Sequence, residues 1–363
     1  MRGYALYRLP HSSCCQFIRG EVVELDDVSK LTDCKGFVVA PFHVDERHPV
    51  SVIRPDCCRW ATPVADVASD YPDIDRMLLN AIGGMQPEGE SGSRDDYHDD
   101  FNRFHERLLQ GAFQKLVLSR TQDFRKRHQK ISLVRLFMEA CTSYPRLFIA
   151  LTYTPSSGIW LVASPEILLE GSADTWLTTA LAGTTPLQDT SQTADLNRVE
   201  WSEKNRQEQQ YVATYIRTIL EEHSFGLEET APHTVRAAHL AHLRTDFSFH
   251  INSAHVGSLL QALHPTPAVC GLPKAEAARF ILGNEHTPRT YYSGFMGPFR
   301  VHYMNQDAPV THLYVSLRCT QIFQDDFRLY AGGGLLKDSV EEQEWQETEA
   351  KLDTMRHIIY NNV

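Results

Sequence analysis

The sequence has no long apolar run and no basic cluster, and each absence excludes a class of protein. No apolar stretch approaches the roughly 18 residues that a membrane-spanning helix needs, and the N-terminus lacks the apolar core of a signal peptide. The formal net charge is -11 and no run of Lys or Arg offsets it, which disfavours a nucleic-acid partner. We therefore expect a cytoplasmic protein that binds neither membrane nor nucleic acid.

Cysteine is also scarce, with eight residues in a chain of 363. The adjacent pairs Cys14-Cys15 and Cys57-Cys58 do not have the CxxC spacing of a metal site. No HxxxH zinc pattern, P-loop or GxGxxG motif occurs. We expect reduced, mostly buried thiols, no zinc site and no nucleotide-binding βαβ unit.

What the sequence does contain is a series of short strand-like runs separated by turns. Strands are predicted within residues 1–60, and a polar linker at 86–96 precedes the remainder. Helices are predicted from residue 97 and at 131–141, 200–222, 274–282 and 341–360. Further strands are predicted at 115–121, 147–153, 159–163, 167–169 and 176–181, and near 291–296, 299–303, 312–320 and 327–331. Groups of strands joined by short turns indicate an α+β fold, with helices outside large antiparallel sheets.

The stretch from Leu313 to Leu352 combines three features of a binding site for a carboxylated small molecule. Arg318 ends a strand-like run and is a natural bidentate ligand for a carboxylate. Three consecutive glycines follow the next strand, where bare backbone can donate N–H groups. On the last helix, Glu347 and Lys351 are four residues apart and share one face.

Two residues beside apolar strands are candidates for a base and an acid. Lys115 opens the run KLVLSR, where burial favours the neutral amine that a base requires. Glu166 lies in SPEILL between apolar residues, and such surroundings favour the neutral carboxyl that a general acid requires. The alternatives are a solvated lysine at a strand end and a polar residue at a turn.

Glu208 extends the apolar stripe of the 200–222 helix, so its carboxylate needs a buried partner. A hard divalent cation is one such partner, and Glu347 could supply a second oxygen. Two carboxylates completed by substrate oxygens and water suit Mg²⁺.

These pieces occur in an order that resembles the chorismate-utilising enzymes, and most closely the isochorismate synthases. The matching runs are KLVLSR at 115–120, SPEILL at 164–169, TALAGTTP at 179–186, SEKNRQEQ at 202–209, HPTPAVCGLPK at 264–274, YYSGFMGPF at 291–299, VSLRC at 315–319, YAGGGLL at 330–336 and EWQETEAKL at 344–352. They cover residues 97–360, and the first 90 residues match only in strand character. The resemblance implies one domain over residues 1–363, with two antiparallel sheets packed together and helices around them.

The resemblance also implies a role for each candidate residue. Lys115 is the base that activates water for attack at C2 of chorismate, and Glu166 is the acid that protonates the departing C4 hydroxyl. Glu208 and Glu347 are the Mg²⁺ ligands. The positions implied to bind substrate are Gly183, Thr184, His242, Arg318, Gly332 and Lys351. We expect the acid and the base to face each other across one cavity, with both metal ligands on its wall.

The choice within the family depends on few residues. Ala182 stands where aminodeoxychorismate synthases typically carry Lys, and HPTPAVCG differs from the HPSGT-type run of anthranilate synthases. Salicylate synthase, which adds pyruvate elimination to the same chemistry, is not separated by the motifs. A catalytically silent chorismate-binding relative is a further alternative, but the retained acid and base argue against it. The resulting hypothesis is a monomeric, Mg²⁺-dependent isochorismate synthase for menaquinone or siderophore synthesis.

Overall fold

The computed structural model of the protein describes residues 1–83, 85–125, 131–187, 195–303 and 308–362, without the side chains of residues 57–61 and 82. The strands are β1 Arg2–Arg8, β2 Cys14–Leu25, β3 Gly36–Ala40, β4 Val50–Pro63, β5 Lys115–Arg125, β6 Phe148–Thr154, β7 Gly158–Ser164, β8 Ile167–Ser172, β9 Thr175–Pro186, β10 Phe225–Glu229, β11 His233–Ala237, β12 Leu240–His250, β13 Gly271–Leu272, β14 Phe295–Phe299, β15 Val310–Val315, β16 Cys319–Ile322 and β17 Asp326–Leu335. The helices are α1 Val67–Asp70, α2 Ile74–Ile82, α3 Arg94–Leu109, α4 Leu133–Ser143, α5 Glu203–His223, α6 Val256–Leu263, α7 Lys274–Asn284 and α8 Glu341–Tyr360.

These seventeen strands form one continuous antiparallel sheet. At one end β10 and β11 both pair with β12, and the order then runs β9, β8, β15, β14, β3, β4, β2, β1, β6, β7, β16, β17, β5 and β13. Because β1 pairs with β6 and β3 with β14, the N-terminal strands belong to the same sheet as the motif-bearing strands.

The sheet folds back so that its two halves pack face to face. Along β6, Phe148 and Ala150 join an interior cluster that also contains residues of β3, β14 and β15. Ile149 and Leu151, which alternate with them, pack outward against helices. Phe148 stacks on Tyr314 of β15, with ring centroids 4.4 Å apart. The predicted α+β fold with antiparallel sheets is confirmed, and the two expected sheets are the two halves of one sheet.

Helices cover the two outer faces. α1, α2, α4 and α8 pack against β1, β6, β7 and β17, whereas α5 and α6 pack against β9, β12 and β15. α3 and α7 enclose β5 from a third side. Among the described helices, none combines the length and the apolar character needed to cross a membrane.

The predicted strand at 299–303 is wrong, and the strands predicted beside it are confirmed in part. The strand predicted near 291–296 is β14 at Phe295–Phe299, and the single strand predicted near 312–320 is divided into β15 and β16. β14 ends at Phe299, and Arg300 adopts a left-handed φ of 50°, which turns the chain out of the strand. Among the described residues that follow, Val301 forms an isolated antiparallel bridge with Val310. The sequence pattern also does not predict β12. Its inward residues include Thr245, which interrupts the apolar alternation between Leu243 and Phe247.

The cysteines whose side chains the structure describes are all free, and all but Cys14 are buried. This confirms the expected reduced thiols for those residues, while the side chains of Cys57 and Cys58 lie outside the described part. The predicted linker is a loop up to Ser93, whose hydroxyl caps α3 by accepting a hydrogen bond from the Asp96 amide.

Candidate active site

A cavity of about 580 Å³, counting the part open to solvent, lies between β9 and β12 on one side and β17 and α8 on the other. Eight of the ten predicted site residues line it. They are Glu166, Gly183, Thr184, Glu208, His242, Arg318, Gly332 and Lys351. Lys115 and Glu347 are not on this wall, which corrects the expectation that the base and both metal ligands face the cavity directly.

Lys115 lies just behind the wall, in contact with Glu208. Its side chain is fully buried, and its Nζ is 3.0 Å from Glu208 Oε1. Gly334 leaves the space for this contact, because a Cβ there would lie 2.0 Å from Glu208 Oε1 and 2.9 Å from Lys115 Cε. Burial raises the pKa of Glu208, but the charges of Lys115 and Lys204 outweigh burial and hold it below the usual value. Glu208 is therefore a carboxylate at neutral pH.

Glu166 sits at the turn between β7 and β8 and is 3% exposed. Its main chain is fixed at both ends, since its N–H donates to Ser164 Oγ and its carbonyl accepts from the Val315 amide at 3.0 Å. Burial raises the pKa of Glu166 to about 8, against the opposing charges of Lys115 and Lys351. The carboxyl is mostly protonated at neutral pH, as the sequence predicts.

Arg318 and His242 form a fixed pair on the cavity wall. Arg318 Nη2 donates to His242 Nε2 at 3.0 Å, and His242 Nδ1 donates to the Gly183 carbonyl at 3.1 Å. Burial, together with the charge of Arg318, holds the pKa of His242 well below its usual range, so the ring is neutral. Arg318 has a left-handed φ of 48°. Such strain in a non-glycine residue is typical of functional sites.

Lys351 and Glu347 share one face of α8, as their spacing predicts. Lys351 Nζ donates to Glu347 Oε1 at 2.6 Å and to the Gly332 carbonyl at 2.8 Å. Lys351 thereby reaches the cavity, whereas Glu347 lines an adjoining pocket together with Lys204 and Glu344.

Glu344 is a site residue that the sequence analysis missed. It is 1% exposed, its Oε1 accepts a hydrogen bond from Lys204, and its Oε2 is buried without a partner. A Cβ on Gly333 would lie 3.5 Å from Glu344 Oε2 and 3.8 Å from Glu347 Oε1, so both carboxylates approach the same glycine. The available signal was the three-residue spacing of Glu344 and Glu347, which places them on one helix face.

Three carboxylates in this region are each paired with a lysine. The pairs are Glu208 with Lys115, Glu344 with Lys204 and Glu347 with Lys351. Within the described residues, no three ligand-type side chains converge as a complete protein-only metal site. Mg²⁺ commonly takes one or two carboxylates and completes its shell with water and substrate. The buried, unpartnered oxygen of Glu344 adds a free acceptor, so this donor set fits a partly open Mg²⁺ site.

Comparison with known proteins gives consistent matches. The chorismate binding enzyme family matches residues 81–360. Isochorismate synthase EntC of Escherichia coli is 32% identical over 206 residues, which are 55% of this chain and 51% of EntC. The salicylate biosynthesis isochorismate synthase of Pseudomonas aeruginosa is 32% identical over 297 residues, 78% of this chain and 59% of that protein. The matched part thus spans about half to three fifths of these two relatives.

Solved structures share the fold at lower identity. DhbC from Bacillus anthracis has a TM-score of 0.79 and 22% identity, and the match covers 98% of this chain and 96% of that one. MenF, the menaquinone-specific isochorismate synthase from Escherichia coli, has a TM-score of 0.77 and 19% identity, with 98% and 88% covered. Since the family match spans most of the sequence, the chain belongs to the chorismate binding enzyme family.

Proposed function

We propose that the protein is an isochorismate synthase, an isomerase that converts chorismate to isochorismate. The observation that carries this proposal is a protonated, buried Glu166 in the same cavity as the Arg318 guanidinium, with Lys115 directly behind the wall. A carboxyl kept neutral near pH 7 can protonate a departing hydroxyl. The names of the matched relatives support the same activity.

Substrate binding follows from the fixed cations and the bare backbone of the cavity. We assign the two carboxylates of chorismate to Arg318 and Lys351, which line the cavity beside Gly183 and Gly332. His242 accepts one hydrogen bond from the guanidinium and so fixes its orientation. Packing against a neighbouring side chain favours glycine at position 332, because a Cβ there would lie 2.8 Å from the Tyr292 hydroxyl.

In the proposed reaction, water adds at C2, the double bonds shift and the C4 hydroxyl leaves. Lys115 is assigned to take a proton from the attacking water, and Glu166 to give its proton to the departing oxygen. One water is consumed and one is released, so the reaction is an isomerisation. Return of a proton from Lys115 to Glu166 through solvent restores the starting state.

Glu208, Glu347 and Glu344 are the residues that would hold Mg²⁺. When bound, the ion supplies positive charge beside a substrate carboxylate.

MenF, a structural neighbour, is specific to menaquinone synthesis. We extend the proposal to menaquinone or siderophore synthesis as the use of the product.

The value of kcat/KM is expected to fall as pH rises through about 8. The pKa of Glu166 is raised from 4.5 to about 8, so the acid form is present below this pH and is lost above it. Measurement of kcat/KM from about pH 6 to about pH 10 tests this, because kcat/KM reports the ionisations of the free enzyme. A value that keeps rising through this window, with no descending limb, would contradict the role of Glu166 as the acid.

Isochorismate is expected as the main product both with and without ammonium. Ala182 lines the cavity and places only a methyl group there, where aminodeoxychorismate synthases typically carry a lysine. The test is incubation with chorismate and Mg²⁺, with or without ammonium, followed by chromatographic identification of the product. Anthranilate or aminodeoxychorismate as the main product would assign the chain to the ammonia-using enzymes. Salicylate with pyruvate would indicate a salicylate synthase, and binding without turnover a silent relative.

A further inference from the structure

The two edges of β5 are hydrogen-bonded differently. One edge pairs with β17 from Leu116 to Arg125. The other edge pairs with β13 only at Lys115 and Leu116, after which the Val117 amide donates to the Cys270 carbonyl at 2.7 Å. In the described part of the chain, no strand continues beyond β13 along this edge. The next edge groups, the Val117 carbonyl and the Ser119 amide, therefore need other partners.

The side chains of Arg289 and Glu285 supply those partners. Arg289 Nη2 donates to the Val117 carbonyl at 2.8 Å, and Glu285 Oε1 accepts from the Ser119 amide at 2.8 Å. The two side chains also bind each other through Nε–Oε2 and Nη2–Oε1 contacts of 2.7 and 2.5 Å. They are 1% and 4% exposed. A donor and an acceptor thus meet β5 in the positions that a further strand would occupy.

The same guanidinium also holds the loop that closes the cavity. Arg289 Nη1 donates to the Val269 carbonyl at 2.6 Å. Val117 and Val269 both line the cavity that contains Glu166, and Thr266 of the same loop acts to lower the pKa of Glu166. One buried cation therefore joins the strand that carries the base to the loop that lines the cavity beside the acid.

We propose that Arg289 and Glu285 are positioning residues that set the separation of the base from the acid. Neither residue lines the cavity. A shift of β5 at Val117 moves Lys115, two residues earlier on the same strand, relative to Glu166. A displacement of about 1 Å can cost about a hundredfold in rate. The kinetic part of this inference rests on the proposed function, whereas the contacts with the β5 backbone do not.

The chain contains a matched control pair, Arg328 and Asp123. Arg328 Nε and Nη2 donate to the two Asp123 oxygens at 2.7 Å each, and Nη1 donates to the Glu88 carbonyl at 2.6 Å. Arg328 is 1% exposed. Like the Arg289–Glu285 pair, it joins a buried arginine to a carboxylate and to a main-chain carbonyl. It differs in its place, since Arg328 on β17 and Asp123 on β5 do not line the cavity.

The experiment compares Arg289→Lys with Arg328→Lys in the full chain. We expect Arg289→Lys to lower kcat about tenfold to a hundredfold with KM changed less than about threefold, because positioning acts on the chemical step. Arg328→Lys should keep kcat within about twofold of the wild-type value, even if its Tm falls by as much as the Tm of Arg289→Lys. Equal kcat losses in the two variants, or wild-type kcat in Arg289→Lys, would overturn the proposal.

Amide hydrogen exchange gives a readout that is independent of turnover. Exchange at Ser119 and Val117 should accelerate in Arg289→Lys and stay at the wild-type rate in Arg328→Lys. Glu285→Gln, which retains an acceptor oxygen for Ser119, serves if Arg289→Lys does not fold, and it should give a smaller effect of the same kind. If the wild-type chain does not convert chorismate, the proposed function fails, while unchanged exchange in Arg289→Lys would refute the backbone contacts themselves.

Discussion

Replacement of Glu208 or Glu347 by alanine is expected to lower kcat/KM about a thousandfold or more. Each change removes one carboxylate oxygen donor from the proposed Mg²⁺ site, so the charge on the substrate carboxylate is left without its cation. Steady-state kinetics at several Mg²⁺ concentrations would measure the loss. Glu349→Ala is the matched control, since Glu349 lies on the same helix but pairs with Arg120 and Arg356.

Removal of the metal should have the same consequence in the unchanged chain. EDTA is expected to abolish turnover, and added Mg²⁺ to restore it. Titration calorimetry with Mg²⁺ gives a readout that does not depend on turnover, and Glu344→Gln should weaken that binding if its free oxygen contributes. Full activity in excess chelator would refute the metal assignment.

Replacement of Lys115 or Glu166 by alanine is expected to lower kcat about a hundredfold to ten-thousandfold, the usual contribution of a positioned acid or base. Substrate affinity should be largely retained, because Arg318 and Lys351 remain in place. Near-normal turnover in either variant would refute the acid–base pair. Glu170→Gln on β8 is a suitable control, since Glu170 pairs with His312 and is 34% exposed.

The Lys115→Ala variant requires a stability measurement as well. Glu208 lies 3.0 Å from the Lys115 amine, and removal of one partner from a buried ion pair typically costs about 3–5 kcal/mol. A cation bound at Glu208 would replace the lost charge. The thermal unfolding temperature of this variant, with and without Mg²⁺, therefore separates a loss of chemistry from a loss of fold.

Much of the fold could be predicted from local pattern. The last helix was predicted over 341–360, and α8 spans Glu341–Tyr360. The predicted start of β5 at Lys115 is likewise confirmed. Periodicity identifies such elements because their burial follows a single repeat along the chain. It does not identify the order in which strands pair, so the continuity of the sheet could not be derived from the sequence.

The candidate site was predicted less completely, because burial of a charge depends on a distant partner. Glu344 lies in the acidic first turn of α8, where a carboxylate is favoured by the helix dipole even in full solvent. The burial of Glu344 depends on Lys204 of α5, which only the tertiary fold brings into contact with it. In the same way, the position of Lys115 behind the cavity wall depends on Gly334, which lies 219 residues later in the chain.

The two ends of the seventeen-strand ribbon meet at the cavity. β12 and β9, next to one end, supply His242 and Gly183, and β17 and β5, next to the other end, supply Gly332 and Val117. No backbone ladder joins these ends within the described strands. A substrate that contacts both walls would therefore connect two parts of the sheet that no backbone hydrogen bonds of the described strands connect at this place. Binding of such a substrate is expected to hold these two parts of the sheet at a fixed separation.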